Sequence, residues 1–263
     1  MKKQILDLRI TRAEEVGAQC VLLKAKPVEG CLPVCCPGQF AQLRVDAPDV
    51  FLRRPISIHD VEDDEISFLV QMVGEGTQWL GALQAGDTLN AVLPLGHGFT
   101  VQTGNEAALL VGGGVGVAPL LYLGKQLKAN GIRPVYLLGA RTRELLLRLD
   151  AFREVGEVFV TTEDGSMGEK GFVTQHSVLS CNESGEMETL PARVMVYTCG
   201  PKPMMNAVAR LARERNLPCE VSLENRMACG VGACLCCVEE TADGHNRCVC
   251  TEGPVFDASE LKI

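Results

Sequence analysis

The cysteines near the C-terminal end constrain this chain more than any other feature. Met227-Ala228-Cys229-Gly230-Val231-Gly232-Ala233-Cys234-Leu235-Cys236-Cys237 is followed, after ten intervening residues, by Cys248-Val249-Cys250. Six of the chain's 13 cysteines thus fall in its last 35 residues. From about Val221 the segment is rich in Gly and Cys, irregular, and too short to bury a core of its own. Its shape must come from something that the thiols hold. The other seven cysteines (Cys20, Cys31, Cys35, Cys36, Cys181, Cys199 and Cys219) are scattered and read as small core hydrophobes.

Taking Cys229, Cys234, Cys237 and Cys250 gives C-x4-C-x2-C and a distant fourth cysteine, the plant-type spacing for a 2Fe–2S cluster. Three thiolates in a short loop can wrap a small cluster while a returning segment brings the fourth. Gly230 and Gly232 can take the backbone angles that such a tight loop needs. Their amides can point at cluster sulfurs and tune its potential. Structural zinc is the rival. It usually pairs two C-x2–4-C knuckles, and Cys248-Val249-Cys250 is a poor second knuckle. Cys236 and Cys248 have no place in the iron–sulfur spacing, and either could exchange with a neighbour.

The rest of the chain changes texture once. Up to about residue 102, short alternating runs at 6–10, 19–23, 39–45, 56–59 and 66–72 read as strands. Turn signals separate them at Pro37-Gly38, Asp46-Ala47-Pro48 and Gly74-Glu75-Gly76. Many short strands with turns between them suggest a small antiparallel β-barrel. A short helix is expected over 77–83, and Pro94-Leu95-Gly96 starts a loop. From 103 to 220 strands alternate with helices. Strands are expected at 107–111, 135–138, 157–161 and 194–198, and helices at 119–129, 143–155 and 203–216. Met204, Val208 and Leu211 would share one face of the last helix. That alternation argues a Rossmann-like parallel sheet. Residues 182–190 read as an exposed polar loop. The expected architecture is therefore β plus α/β, with a barrel at 1–102, a parallel-sheet domain at 103–220 and a small cluster domain at 221–263.

Composition closes off several function classes. The net charge is −8 with no long basic run, so phosphate-driven nucleic-acid binding is not expected. No apolar run approaches the roughly 20 residues of a membrane helix. The start, Met1-Lys2-Lys3-Gln4, leads straight into a strand pattern with no apolar signal region. A cytoplasmic place, with reduced thiols, is the expectation.

Two further motifs carry chemistry. Arg53-Arg54-Pro55-Ile56-Ser57 lies on an expected strand. It is either a charged strand edge or a flavin grip, with Arg54 neutralising a pyrophosphate and Ser57 bonding the flavin edge. Gly76 and Thr77 follow in a turn before a helix, where amides and the Thr77 hydroxyl would meet phosphate. Second, Gly112-Gly113-Gly114-Val115-Gly116-Val117-Ala118-Pro119 joins a strand to a helix. Amides at Gly112, Gly114 and Gly116 could approach a dinucleotide pyrophosphate, or the glycines could serve a tight turn alone. Cys199-Gly200-Pro201 falls after the last strand, where a nicotinamide would sit. Cys199 could equally be a small residue packed under a turn, and no nucleophile is needed where cofactors do the chemistry. His59, His97, His176 and His245 show no metal or triad spacing and read as structural or surface residues.

Barrel motifs followed by G-x-G-x-A-P and Cys-Gly-Pro resemble the ferredoxin–NADP reductase superfamily, in which a barrel binds flavin and the next domain binds nicotinamide. Ile56 stands where that superfamily carries Tyr. The segments 227–234, 249–257, 53–58, 94–99 and 162–166 together closely resemble the electron transfer subunits of type B dihydroorotate dehydrogenase, nearly end to end. That resemblance implies FAD, one 2Fe–2S cluster and NAD as acceptor. It implies FAD contacts at Arg54, Pro55, Ile56, Ser57, Leu69, Val70, Gln71, Gly76 and Thr77. It favours Cys250 as fourth ligand, because the family's cysteine precedes Gly-Pro-Val-Phe, here Gly253-Pro254-Val255-Phe256. It also implies a separate FMN-bearing catalytic subunit that oxidises dihydroorotate in pyrimidine synthesis, in a heterotetramer of two plus two. FAD would then convert between two-electron and one-electron steps. No side chain of this chain would act as a catalytic acid or base.

Overall fold

The structure, a computed structural model, describes residues 3–17, 19–101, 104–181 and 189–263. The chain divides into two compact units. One joins residues 1–99 to 224–255; the other joins 100–223 to 256–263. Three parts were expected from the sequence. The cysteine segment instead groups with the barrel and the last eight residues with the parallel sheet, as suits a tail without a core of its own.

In the first unit, β1 (Gln4–Glu15), β2 (Cys20–Pro27), β3 (Phe40–Leu43), β4 (Arg54–Glu62), β5 (Glu65–Gln71) and β6 (Thr88–Leu95) close a barrel in the order β1-β2-β5-β4-β3-β6. All neighbours are antiparallel. Period-two patterning drives the closure: Leu8 and Ile10 point inward while Asp7 and Arg9 stay exposed. The strand β6 was not expected from the sequence. Its inward Leu89, Ala91 and Leu93 alternate with Asn90 and Val92, but Pro94 near its end read as a loop. The helix α1 (Glu75–Gly81) begins two residues earlier than expected, inside the Gly-Glu-Gly turn. Thr77 makes that start possible. Its Oγ1 accepts from the Val73 and Gly74 amides, both at 3.0 Å.

The second unit holds β7 (Ala107–Gly113), β8 (Arg133–Ala140), β9 (Glu157–Thr162), β10 (Glu169–Lys170), β11 (Val194–Cys199) and β12 (Cys219–Ser222). After the two-stranded ribbon of β13 (Val238–Glu240) and β14 (Asn246–Cys248) comes β15 (Val255–Asp257), which completes a sheet ordered β10-β9-β8-β7-β11-β12-β15. The pairs from β10 through β12 are parallel. Every residue of β7 and β11 is buried, the near-continuous apolar run of a sheet covered on both faces. The helices are α2 (Leu120–Ala129), α3 (Leu149–Val155) and α4 (Lys202–Glu214).

Two helix expectations are corrected. The long helix expected at 143–155 is split into a single turn at Arg143–Leu145 and α3, because Arg148 takes a left-handed φ of 58°. On α4 the buried stripe is Met205, Val208, Ala209 and Ala212, one residue round from the expected Met204 and Leu211. Of the expected polar loop at 182–190, residues 182–188 lie outside the described residues. Thr189 is exposed, and Leu190 is buried rather than exposed.

Candidate cluster, flavin and nucleotide sites

The cysteine loop is organised by backbone amides that end on sulfur. Val231 and Ala233 donate to Cys229 Sγ at 3.4 and 3.3 Å. Gly232 donates to Cys250 Sγ at 3.2 Å, and the Cys250 amide donates to Cys237 Sγ at 3.4 Å. The loop can curl this tightly because Gly230, Gly232 and Leu235 have φ of 68°, 84° and 57°. The fourth cysteine is returned by the β13–β14 ribbon. Val238 pairs with Cys248 and Glu240 with Asn246, and the Val249 amide then bonds the Cys237 carbonyl at 3.2 Å. Thr241 closes the ribbon's turn by donating to Asp243 and by receiving Gly244.

The four sulfurs act on one another: Cys229 interacts with Cys234, and Cys250 with both Cys237 and Cys229. Cys237 and Cys250 are buried, Cys229 is half-buried and Cys234 is exposed. The Val231 amide, helped by Cys234 and Ala233, pulls the Cys229 thiol down to about 6. Burial, with Cys237 beside it, pushes Cys250 up to about 12. This set of four thiols, with backbone amides aimed at three of their sulfurs, fits a two-iron cluster.

Cys248 differs from Cys250 in its bonds. Its amide goes to Glu252 Oε2 at 2.8 Å, and its carbonyl accepts from Thr251 and Glu252. No N–H reaches its sulfur among the described hydrogen bonds. Burial raises its thiol above the usual range, with charges on Cys237, Glu252, Cys229 and Cys234 adding to the effect. Cys236 is exposed.

Two side chains reach this region: His97, read from the sequence as a structural or surface residue, and Gln42, which the sequence did not single out. The His97 amide donates to the Gly253 carbonyl at 2.6 Å, and its Nδ1 lies 3.0 Å from the Glu252 carbonyl. Gly96 allows the approach, since a Cβ there would meet Gly253 O at 2.6 Å. Gln42 on β3 lies against Gly230 of the cysteine loop. Both contacts join residues far apart in sequence, and only Gln42, a polar residue in the apolar run Phe40-Ala41-Gln42-Leu43, left a signal.

In the barrel, the expected flavin residues fall on the neighbouring strands β4 and β5 and on the first turn of α1. The strands β4 and β5 pair from Ile58↔Phe68 to Glu62↔Glu65. Beyond that they part. Arg54–Ser57 stays with β3, through Leu43↔Arg54 and Phe40↔Ser57, while Leu69, Val70 and Gln71 stay with β2. The side chains of Leu69 and Val70 are buried, so only their backbone can serve a ligand. The Arg54 guanidinium packs on Gly76: a Cβ there would stand 2.6 Å from Nε and 2.7 Å from Nη2. Its Nη1 donates to the Leu52 carbonyl at 2.6 Å. The expected cation and the first turn of α1 are thus together. The Thr77 hydroxyl, by contrast, gives its proton to the Gly74 carbonyl at 2.8 Å. Arg53 is structural. It bonds the Gln42 and Asn90 carbonyls at 3.2 Å and Asn90 Oδ1 at 2.6 Å.

In the parallel sheet, strand order reverses between β7 and β11, the switch point at which such sheets bind ligands. The carboxyl ends there are Gly112-Gly113 and Cys199, with Cys199 in register with Gly112. The glycines divide by role. A Cβ at Gly116 would stand 2.4 Å from the Gly200 Cα, and one at Gly112 would meet Leu120 and Val117 at 2.9 Å. These two, with Gly200, permit close packing. Gly114 has φ of 56° and open space where a Cβ would be. Cys199 is buried at the strand end.

Known proteins match the chain over the same segments. Residues 224–262 match the family model described as the iron–sulfur cluster binding domain of dihydroorotate dehydrogenase B. Residues 110–210 match the oxidoreductase NAD-binding domain. The chain is 43% identical, over 86% of its own length and 86% of the relative's, to the dihydroorotate dehydrogenase B (NAD(+)) electron transfer subunit of Caldanaerobacter subterraneus subsp. tengcongensis. It is 39% identical, over 86% and 87%, to the protein of the same name from Fusobacterium nucleatum subsp. nucleatum. A solved structure of NADH-dependent reduced ferredoxin-NADP oxidoreductase superposes with a TM-score of 0.82, at 29% identity over 97% of this chain and 89% of that one.

Proposed function

The chain belongs to the family of dihydroorotate dehydrogenase B (NAD(+)) electron transfer subunits, and on that premise we propose that it carries electrons from a dihydroorotate-oxidising partner to NAD, in pyrimidine biosynthesis. When bound, FAD supplies two-electron exchange with the nicotinamide, and a 2Fe–2S cluster supplies one-electron exchange with the partner. The chain's own residues bind, orient and tune these groups. None acts as acid, base or nucleophile.

The observation that carries this reading is the cysteine loop, with its four amide-to-sulfur bonds. Cys229 and Cys234 would hold one iron, and Cys237 and Cys250 the other. Amides at Val231, Gly232, Ala233 and Cys250 soften the charge on those sulfurs. The flavin would lie against Arg54, Pro55, Ile56 and Ser57 of β4 and Leu69, Val70 and Gln71 of β5. Arg54 and the amides of Gly76 and Thr77 would share the pyrophosphate. At the sheet's switch point Gly114 would approach the dinucleotide, and Gly112, Gly116, Cys199 and Gly200 would shape the floor beneath it.

The relatives' name, electron transfer subunit, supports a catalytic partner subunit. We assign that partner an FMN and a two-plus-two assembly in the cytoplasm. No helix among the described residues is long and apolar enough to cross a membrane. The barrel, the parallel sheet and the 221–263 tail are read as one module for each cofactor. Co-expression with a flavin-bearing dihydroorotate-oxidising subunit tests the reading. Dihydroorotate-dependent reduction of NAD by the complex, absent from either subunit alone, is the expected result. A complex that reduces NAD only with reduced ferredoxin or NADPH would place the chain with the ferredoxin-NADP oxidoreductase instead.

A further inference from the structure

Gln42 is the residue that the proposed function leaves unexplained. It lies on β3, whose four residues are all buried. Phe40, Ala41 and Leu43 are apolar, and Gln42 is only 1% exposed. Neither Nε2 nor Oε1 of its carboxamide has a hydrogen-bond partner among the described residues. Burying an amide in that state costs its full desolvation, which a Leu or Met of similar size would avoid. A polar side chain kept at that cost points to a partner outside the polypeptide.

The side chain's surroundings say which partner. A Cβ on Gly230 would stand 2.7 Å from both Cγ and Nε2 of Gln42 and 3.1 Å from Cδ. The carboxamide therefore lies across the glycine that follows Cys229. The next amides along, at Val231, Gly232 and Ala233, all donate to cysteine sulfur. The Gln42 amide is a further N–H donor at the same loop. Its backbone faces the other way in function: Gln42 pairs with Pro55 of the flavin strand, and its carbonyl accepts from Arg53. One residue thus touches the flavin strand through its backbone and the cysteine loop through its side chain.

We propose that Gln42 donates a side-chain hydrogen bond to sulfur of the bound cluster, and so sets the cluster's potential from the flavin barrel. This rests on the cluster reading above. The nitrogen and oxygen ends of a carboxamide exchange by a half-turn, so the donor end can face the sulfur without moving the backbone. A donor to sulfur stabilises the more negative, reduced state and raises the potential. Gln42 is a positioning residue, with no part in bond making.

The test is redox titration of the reconstituted holo-subunit, with the cluster followed by electron paramagnetic resonance and the flavin by absorbance. Gln42→Met keeps the volume and removes the donor. Its cluster midpoint should shift to more negative potential, with iron content and flavin potential unchanged. Gln42→Glu keeps the shape and replaces the donor by an acceptor, and should shift the cluster further the same way. Should both variants fail to fold, wild-type protein grown with amide-labelled glutamine should show an added nitrogen hyperfine coupling in the reduced cluster's spectrum. Unchanged cluster potentials in folded variants, a shift of the flavin instead of the cluster, or no added coupling would overturn the proposal. A wild-type chain that binds no iron after reconstitution would overturn the cluster reading itself, and this proposal with it.

Discussion

The parallel strands β7 and β11 and the cysteine loop at 229–237 reach fixed conformations by different physics. Each strand residue is buried, and the ladder between them runs without a break from Val194↔Ala107 to Cys199↔Gly112. Burial of apolar surface, at about 25 cal/mol per Å², holds that region whether or not a ligand is present. In the loop, Val231 and Leu235 are 45% and 63% exposed, and Cys234 and Cys236 are exposed too. Its amides end on sulfur rather than on carbonyls. Such a loop buries too little to repay the entropy of ordering its backbone, about 1–2 kcal/mol per residue. Metal–thiolate bonds supply the difference, as in other small metal sites where binding energy is folding energy. The sheet is a scaffold that accepts a cofactor; the loop is a conformation that a cofactor maintains.

The contrast breaks most sharply at the ligands. Cys237→Ser should abolish the cluster, with bound iron falling to near zero. Amides of residues 229–250 should then exchange at close to unfolded rates while β7 and β11 keep their protection. Equal loss of protection in both regions would mean that they are one cooperative unit. The reverse experiment is Leu110→Ala in the middle of β7. Leu110 is fully buried, so the cavity should cost about 2–5 kcal/mol, read by denaturant titration, with iron per chain unchanged. Arg54→Ala should separate flavin from iron. Losing charge-assisted bonds to a pyrophosphate, worth about 1.5–3 kcal/mol, should weaken FAD binding by about 10- to 100-fold in equilibrium dialysis. Iron content should hold.

The smallest effect belongs to the sheet alone. Glu220 on β12 accepts the Thr100 amide at 2.9 Å, and burial pushes its carboxyl above the usual carboxylate range. With the folded pKa raised, the native state holds the proton more tightly than the unfolded chain. Its stabilising effect is complete below the unfolded value and is lost as pH rises through the folded one. Glu220→Gln keeps an acceptor for Thr100 and never ionises. It should raise Tm by about 2 °C at pH 7, and the gain should vanish near pH 4. A gain independent of pH would show that ionisation of Glu220 is not its cause.

What could be read in advance follows from range along the chain. The cysteine spacing, the Arg53–Ser57 run and the Gly-rich turn are local motifs, and the structure sets Arg54 against Gly76. The barrel strands followed from alternation wherever no proline intervened. The strand β6 was lost because Pro94 sits at its end, although Leu89, Ala91 and Leu93 carried the period. The break before α3 depends on a left-handed arginine, which no propensity favours. His97 and Gln42 reach partners far along the sequence, at Glu252 and Gly230, where no local pattern extends. The separate jobs of the glycines were equally hidden. Gly112 and Gly116 are small because neighbours crowd them, and Gly114 is small because its backbone turns left-handed.

The most direct test of the account is an anaerobic titration of the purified chain with NADH, after iron, sulfide and flavin have been counted. About two irons, two sulfides and one FAD per chain are expected for a four-cysteine cluster beside the flavin. NADH should bleach the flavin and bring up the resonance signal of a reduced 2Fe–2S cluster in the same protein. A flavin that bleaches while the iron stays silent, or a chain that holds zinc in place of iron, would contradict the claim that its cysteine loop conducts electrons.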